Sequence, residues 1–233
     1  MLRPAIPIAA LLGFNGGFVD TAGFLGLQGL FTSHVTGNFV TLGASLVLGT
    51  SGVLTKMAAI PVFILAVGLA RLAGNQLTDR GHAPMPVMLA AQAVLLGVFF
   101  LLAVALGPFH NGDAPAAMLT GLVGVTAMAI QNTVQRVHLA TEPPSTILTG
   151  TTTQFAIDLT DMLFRRASMA SDAARHHFRA LARAILCFGA GSMIAAASFH
   201  FVGLWCLAIA VAVATAVAVM KAGEPPPETG MLL

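Results

Sequence analysis

Residues 87–107 read VMLAAQAVLLGVFFLLAVALG, 21 positions without a charge. A helix needs about 20 apolar residues to cross roughly 30 Å of hydrocarbon, and soluble core elements seldom hold so long an uncharged run. Residues 202–220 repeat the pattern. Across the whole chain of 233 residues, hydrophobic types make up 57% and charged types only 9%. Soluble domains carry about 25% charged residues, so this chain cannot clothe a water-facing surface. The expected fold is all-α: a polytopic membrane helix bundle forming one membrane domain over residues 1–233.

Eight candidate spans extend outward from that stretch. They are Pro7 to Leu27, Val35 to Leu54, Met57 to Leu77, Val87 to Gly107, Ala114 to Gln135, Thr146 to Phe164, Leu181 to Phe199 and Val202 to Met220. The second and sixth are rich in Thr and Gly, so hydropathy alone gives about eight spans, with six as the lower bound. The N-terminus has an Arg followed by an apolar run but no clean small-residue cleavage site, and it reads as the first span rather than a signal peptide. Residues 221–233 are short and Pro-rich and are expected to be a flexible tail.

With eight crossings, Arg3, Lys56, Arg165, Arg166, Arg175, Arg179, Arg183 and Lys221 share one side, and Arg71, Arg80 and Arg136 share the other. The positive-inside rule then places both termini in the cytoplasm. The stretch from Arg165 to Arg183 reads equally as a short surface helix on anionic headgroups or as a polar loop. Two cysteines in apolar segments and the absence of any metal-ligand spacing argue against a disulfide framework, a zinc site or another cofactor.

Thr36-Gly37 and Thr149-Gly150 each follow a polar pair, Asp20-Thr21 and Asn132-Thr133, at near-equal distance. This spacing divides the chain into two similar four-helix halves, residues 1–112 and 113–220. Even-numbered halves would share one orientation, related by an axis along the membrane normal.

Gly16-Gly17-Phe18-Val19-Asp20 and the run Gly29-Leu30-Phe31-Thr32-Ser33-His34-Val35-Thr36-Gly37-Asn38 resemble the YoaK-like family of bacterial inner-membrane proteins, a domain of unknown function. Gln131-Asn132 and Thr149-Gly150 extend the resemblance into the second half, where Thr151 stands in place of the first copy's Asn. The resemblance implies a multi-pass inner-membrane protein and carries no activity with it.

Polar side chains inside spans are costly and mark functional candidates. Asp20 can take a proton, bind a cation or hold a partner helix. Gly13 and Gly17 allow close helix packing or a broken helix. Thr36-Gly37-Asn38 offers a helix cap with free N–H groups for an anion. Gln154, Asp158 and Asp161 share one face of the sixth span, with Asp161 close enough to Arg165 and Arg166 for an interfacial ion pair.

The expected solute-binding set is Asn15, Asp20, Thr36, Gly37, Asn38, Gln131, Asn132, Thr149, Gly150, Gln154 and Asp158, with the two copies facing each other. No nucleophile–base pair, phosphate loop or nucleic-acid motif is present, so neither an enzyme nor a nucleic-acid partner is expected. The expected partners are the lipid bilayer and an unidentified small solute, and a homo-oligomer is compatible with the composition. The expected function is a small-solute transporter or channel; the alternative is a non-transporting membrane sensor or an assembly scaffold.

Overall fold

The computed structural model describes residues 8–146, 148–164 and 171–223. Among them there is no strand. Eight α-helices follow in order: α1 Ile8–Gly26, α2 Gly37–Leu48, α3 Val53–Asp79, α4 Pro84–Leu106, α5 Pro115–His138, α6 Thr149–Leu163, α7 Asp172–Val202 and α8 Leu207–Ala222. Among the described residues, five stretches are long and apolar enough to cross a membrane: α1, α3, α4, α5 and the continuous run from α7 through α8. The second and sixth expected spans shrink to 12 and 15 residues. At 1.5 Å per residue they are about 18 and 22 Å long, short of a bilayer core. Eight crossings are therefore not what the helix lengths give.

Two apolar clusters fix the helix directions. Ile8, Leu12, Ala70, Met88, Leu89, Val134 and Val217 gather where α1 and α4 begin and α3, α5 and α8 end. Phe18, Leu27, Phe99, Ala103, Phe109 and Leu207 gather further along, toward the opposite end. The chain reverses between α7 and α8 in a single 3-10 turn, Gly203–Cys206. Gly203 opens that turn at φ 57°, a left-handed geometry that favours glycine.

Helices α1 and α7 run parallel and in close contact. Gly13 lies beside Cys187, Gly17 beside Phe188 and Ser192, and Gly26 beside Phe199 and Leu204. A Cβ on Gly17 would strike the Phe188 carbonyl, and one on Gly191 the Phe14 carbonyl. The Gly-x-x-x-Gly pair is thus used for packing in an unbroken helix.

Helices α1 and α5 are antiparallel: Leu27 and Leu30 approach Gly121, whereas Leu12 and Gly16 approach Gln131. A repeat about an axis along the membrane normal would need them parallel. That expectation fails because the short α2 does not carry the chain from one end of the bundle to the other. The same shift relocates the charges. Arg71, Arg80 and Arg136 lie at the end where α1 begins and α8 finishes, and Lys56 lies at the other. Of the Arg165 to Arg183 stretch, residues 171–183 are the N-cap and first turns of α7, and residues 165–170 lie outside the described residues. Lys221 and Ala222 complete α8, and residues 224–233 of the expected tail lie outside the described residues.

Asp113, in the loop between α4 and α5, caps α3. Its Oδ2 accepts from the Gly52 and Val53 N–H groups at 2.9 and 3.0 Å, and Oδ1 from Thr55 N–H at 3.1 Å. Burial pushes this carboxyl up, but the backbone N–H groups of Thr55, Gly52, Val53 and Leu54 outweigh it and hold it below the usual range. A depressed carboxyl stabilises the fold above its unfolded-state value, and that gain is lost as pH falls through the folded-state value. In thermal unfolding scans of detergent-solubilised protein, the wild type should therefore lose its advantage over Asp113→Asn as pH is lowered from neutrality into the acid range.

Packing yields a second test. Gly17→Ala should destabilise by about 1–3 kcal/mol through overpacking. Gly68→Ala and Gly97→Ala, where no atom lies within 4 Å of the new Cβ, should be neutral or stabilising. Equal melting temperatures for Gly17→Ala and the two controls would contradict the packing.

Candidate functional site

After α1 the chain turns through Gln28 and Gly29, both at positive φ, and residues 30–36 run back along the helix they have just left. Asp20, six residues before the end of α1, holds them there. Its Oδ1 accepts from the N–H groups of Thr32 and Ser33 at 2.8 Å each and of His34 at 3.3 Å. The carboxyl group is buried, and its bonds to several N–H groups offset part of the cost of burying it.

Asn38 clamps the same loop from the other side. Its Oδ1 accepts from Phe31 N–H at 2.9 Å, and its Nδ2 donates to Phe31 O at 2.8 Å. Gly37 lies under the Phe31 ring, which a Cβ would touch at 2.9 Å. Thr36 makes no side-chain cap and is exposed. The expected anion site is filled from within. The N–H groups of Gly37, Asn38 and Phe39 bond the carbonyls of His34, Val35 and Thr36, and the anion in the preceding turn is Asp20 itself.

The far end of this hairpin is fastened by the buried Lys56, whose Nζ donates to Ser45 Oγ at 2.8 Å and to Ser51 O at 3.4 Å.

The second hairpin follows α5. Asn132 lies six residues before the end of its helix, as Asp20 does in α1. The Thr146 hydroxyl donates to Asn132 Oδ1 at 2.5 Å. Gln131 Nε2 donates to Leu12 O at 2.9 Å and to Ser145 Oγ at 3.3 Å, and Gln131 Oε1 accepts from Gln92 Nε2 at 2.6 Å. Gln135 Nε2 holds the start of the loop through the carbonyls of Leu139 and Pro143 at 3.2 and 3.1 Å.

The two tips meet at Gly16, in the middle of α1. The Ser33 hydroxyl donates to Gly16 O at 3.5 Å from one hairpin, and the Ser145 carbonyl and Thr146 methyl crowd Gly16 from the other. A groove of about 900 Å³ runs along α6 beside this junction. His34 and Thr146 line it at the tips; Thr149, Thr152, Thr153, Thr160 and Asp161 line it along α6, and Phe188 lines it on α7.

The expected residues are therefore divided. Asp20, Gly37 and Asn38 close the first hairpin, and Gln131 and Asn132 close the second. The two sets do not bond each other directly; Gly16, Ser33, Ser145 and Thr146 make the junction. Thr149 lines the groove, and Gly150 is exposed at the same helix start. Gln154 Nε2 donates to Asp158 Oδ1 at 2.7 Å, and the groove wall carries Asp161 rather than Asp158. Asn15 is fully buried in α1, with neither amide atom hydrogen-bonded among the described residues. Ser33, Ser145, Thr146, Gln92 and Lys56 were not singled out. For Ser33, Ser145 and Thr146 the signal was a Ser/Thr pair shortly before each Thr-Gly, Thr32-Ser33 and Ser145-Thr146; no motif marks Gln92 or Lys56.

Residues 8–220 match the family described as "Protein of unknown function (DUF1275)". The chain belongs to the DUF1275 family. It is also 30% identical, over 225 residues, to the UPF0700 transmembrane protein YoaK of Bacillus subtilis (strain 168), a match covering 93% of this chain and 96% of that one. No solved structure matches. The family match and the apolar helices make this DUF1275 chain a membrane protein. Of the motif residues that carried the resemblance, Asp20, Asn38, Gln131 and Asn132 are the fastening points of its hairpins.

Asp20→Ala leaves three N–H groups, two of them buried, without their acceptor. At about 1–3 kcal/mol for an unsatisfied buried group, exchange of the Thr32, Ser33 and His34 amides should quicken by about fivefold or more. Asp20→Asn keeps an acceptor and should lie in between. Hydrogen-exchange mass spectrometry of a peptide covering these residues checks both, and unchanged protection in Asp20→Ala would remove Asp20 as the fastening.

Proposed function

We propose that this protein carries a small solute across a bacterial inner membrane, using six crossing helices and two re-entrant hairpins whose tips meet midway. The observation that carries the reading is the meeting of both tips at Gly16 beside an open, threonine-lined groove. Non-helical backbone at membrane depth is tolerated where protein buries it or water fills the space beside it, and transporters place their sites at such broken elements.

Three features support the topology. Helices α2 and α6 are too short to cross. Helices α1 and α5 are antiparallel, as an inverted repeat of α1–α4 and α5–α8 requires, and Asp20 and Asn132 take matching positions in the two halves. Seven described basic residues, Arg71, Arg80, Arg136, Arg175, Arg179, Arg183 and Lys221, share one end, and Lys56 alone lies at the other. The positive-inside rule makes the basic end cytoplasmic, and with it the start of α1 and the end of α8. The groove, bounded by α6, then opens toward the cytoplasm, and the solute reaches the junction along the hydroxyls of α6.

A non-transporting sensor or scaffold is the second reading. It is favoured by the pairing of Asp20, Asn38, Gln131 and Asn132, each of which has a structural partner.

Flux separates the two. Purified protein in liposomes should pass at least one member of a panel of labelled sugars, amino acids and inorganic ions. Thr153→Trp, at an exposed groove position, should cut that flux by about tenfold or more, equivalent to about 1.4 kcal/mol in the barrier, without lowering the melting temperature. No flux across the panel would favour the scaffold, and undiminished flux in Thr153→Trp would remove the groove from the path.

A further inference from the structure

We infer that a recess between α3, α5 and the second hairpin binds the phosphate of an anionic phospholipid. The recess has a volume of about 300 Å³. Phe63, Val67 and Arg71 line it at successive four-residue steps, one stripe along α3 that passes from apolar to cationic. Asn132 and Arg136 line it from α5. Among the described residues no carboxylate lines it, and that of Glu142, two residues before Pro144 in the same hairpin, is paired with Arg183 at 3.3 Å.

Depth points to a lipid rather than to a freely dissolved ion. Counted from the opposite end of the bundle, Arg71 lies about 27 Å along α3 from Val53, and Arg136 about 32 Å along α5 from Pro115. With a hydrocarbon core of about 30 Å, both guanidinium groups reach the headgroup level of the basic face. A phosphate there receives N–H groups from two guanidiniums, whose fork geometry suits its oxygens. An acyl chain continues over Val67 and Phe63 into the hydrocarbon. Basic pockets between helices on this face are fitted to such headgroups. A zwitterionic lipid would bring a cationic headgroup against two arginines, so the recess selects lipids with net negative charge. The inference rests on the membrane placement proposed above and not on transport, so a failure to carry solute leaves it standing.

The test uses the full-length protein in detergent with three additives: phosphatidylglycerol, phosphatidylcholine and inorganic phosphate. Phosphatidylglycerol should raise the melting temperature and survive as a bound adduct in native mass spectrometry; phosphatidylcholine should do neither. Arg71→Gln and Arg136→Gln should each weaken phosphatidylglycerol retention by about tenfold or more, the loss expected for one charged hydrogen-bonding group. Arg179→Gln, exposed on α7, should not. If Arg71→Gln does not fold, Arg136→Gln and Arg136→Lys at the end of α5 carry the test, with Lys intermediate. Equal retention of the two lipids, unaltered retention in the folded Gln variants, or no retention by the wild type overturns the inference. A stabilisation by inorganic phosphate that phosphatidylglycerol cannot reproduce also overturns it, by placing a soluble anion in the recess.

Discussion

Oδ1 of Asp20 receives the backbone N–H groups of Thr32, Ser33 and His34, and the path of the next several helices follows from that contact. The loop after α1 has no helix or sheet in which to satisfy its N–H groups. A carboxylate held one and a half turns inside α1 offers them a partner, and so the loop folds back instead of spreading over the end of the bundle. Because it folds back, α2 starts beside the middle of α1 and returns to the end from which the loop came. Helices α3, α4 and α5 then run opposite to the direction that eight crossings would give them, and the second hairpin restores that direction for α7 and α8. The charge and its three bonds sustain each other: the buried carboxylate would be costly without the N–H groups, and they without it.

The second hairpin reaches a similar position with neutral groups. Asn132 binds a hydroxyl, Gln131 binds a carbonyl and a hydroxyl, and Gln92 completes the chain of amides. Neutral bonds are weaker than charged ones. Helix α6 also has little support, since among its residues only Thr151 is buried. If one hairpin moves during a transport cycle, energetics select the second, with the first and the glycine-packed pair α1 and α7 as the frame.

Composition and uninterrupted apolar runs made the membrane bundle legible, because a helix in hydrocarbon announces itself by length. The shortness of α2 and α6, on which the proposed re-entrant form rests, was hidden for a physical reason. Val35 to Leu54 and Thr146 to Phe164 hold enough apolar residues to suggest a span, and hydropathy does not register that Gly49 and Gly52 end α2 early or that the preceding loop is fastened to another helix. One miscounted crossing inverted the placement of Lys56, Arg71, Arg80 and Arg136. Asp20, Asn38, Gln131 and Asn132 were legible as special because buried polar groups are expensive. Their roles were not, since a fastening and a ligand site draw on the same residue types. Thr149 lines the groove along α6, whereas Gln154 and Asp158 bond each other.

The turn between α3 and α4 reports most directly on the proposed re-entrant path. With α2 returning to its own side, Gly81 and His82 lie at the basic, cytoplasmic end; with eight crossings they lie outside. A single cysteine at the exposed His82, in a chain whose Cys187 and Cys206 are replaced by Ser and Ala, can be challenged with a membrane-impermeant maleimide. The re-entrant path predicts no labelling in intact cells and full labelling once the inner membrane is permeabilised. Full labelling in intact cells, with the outer membrane alone made permeable, would contradict it.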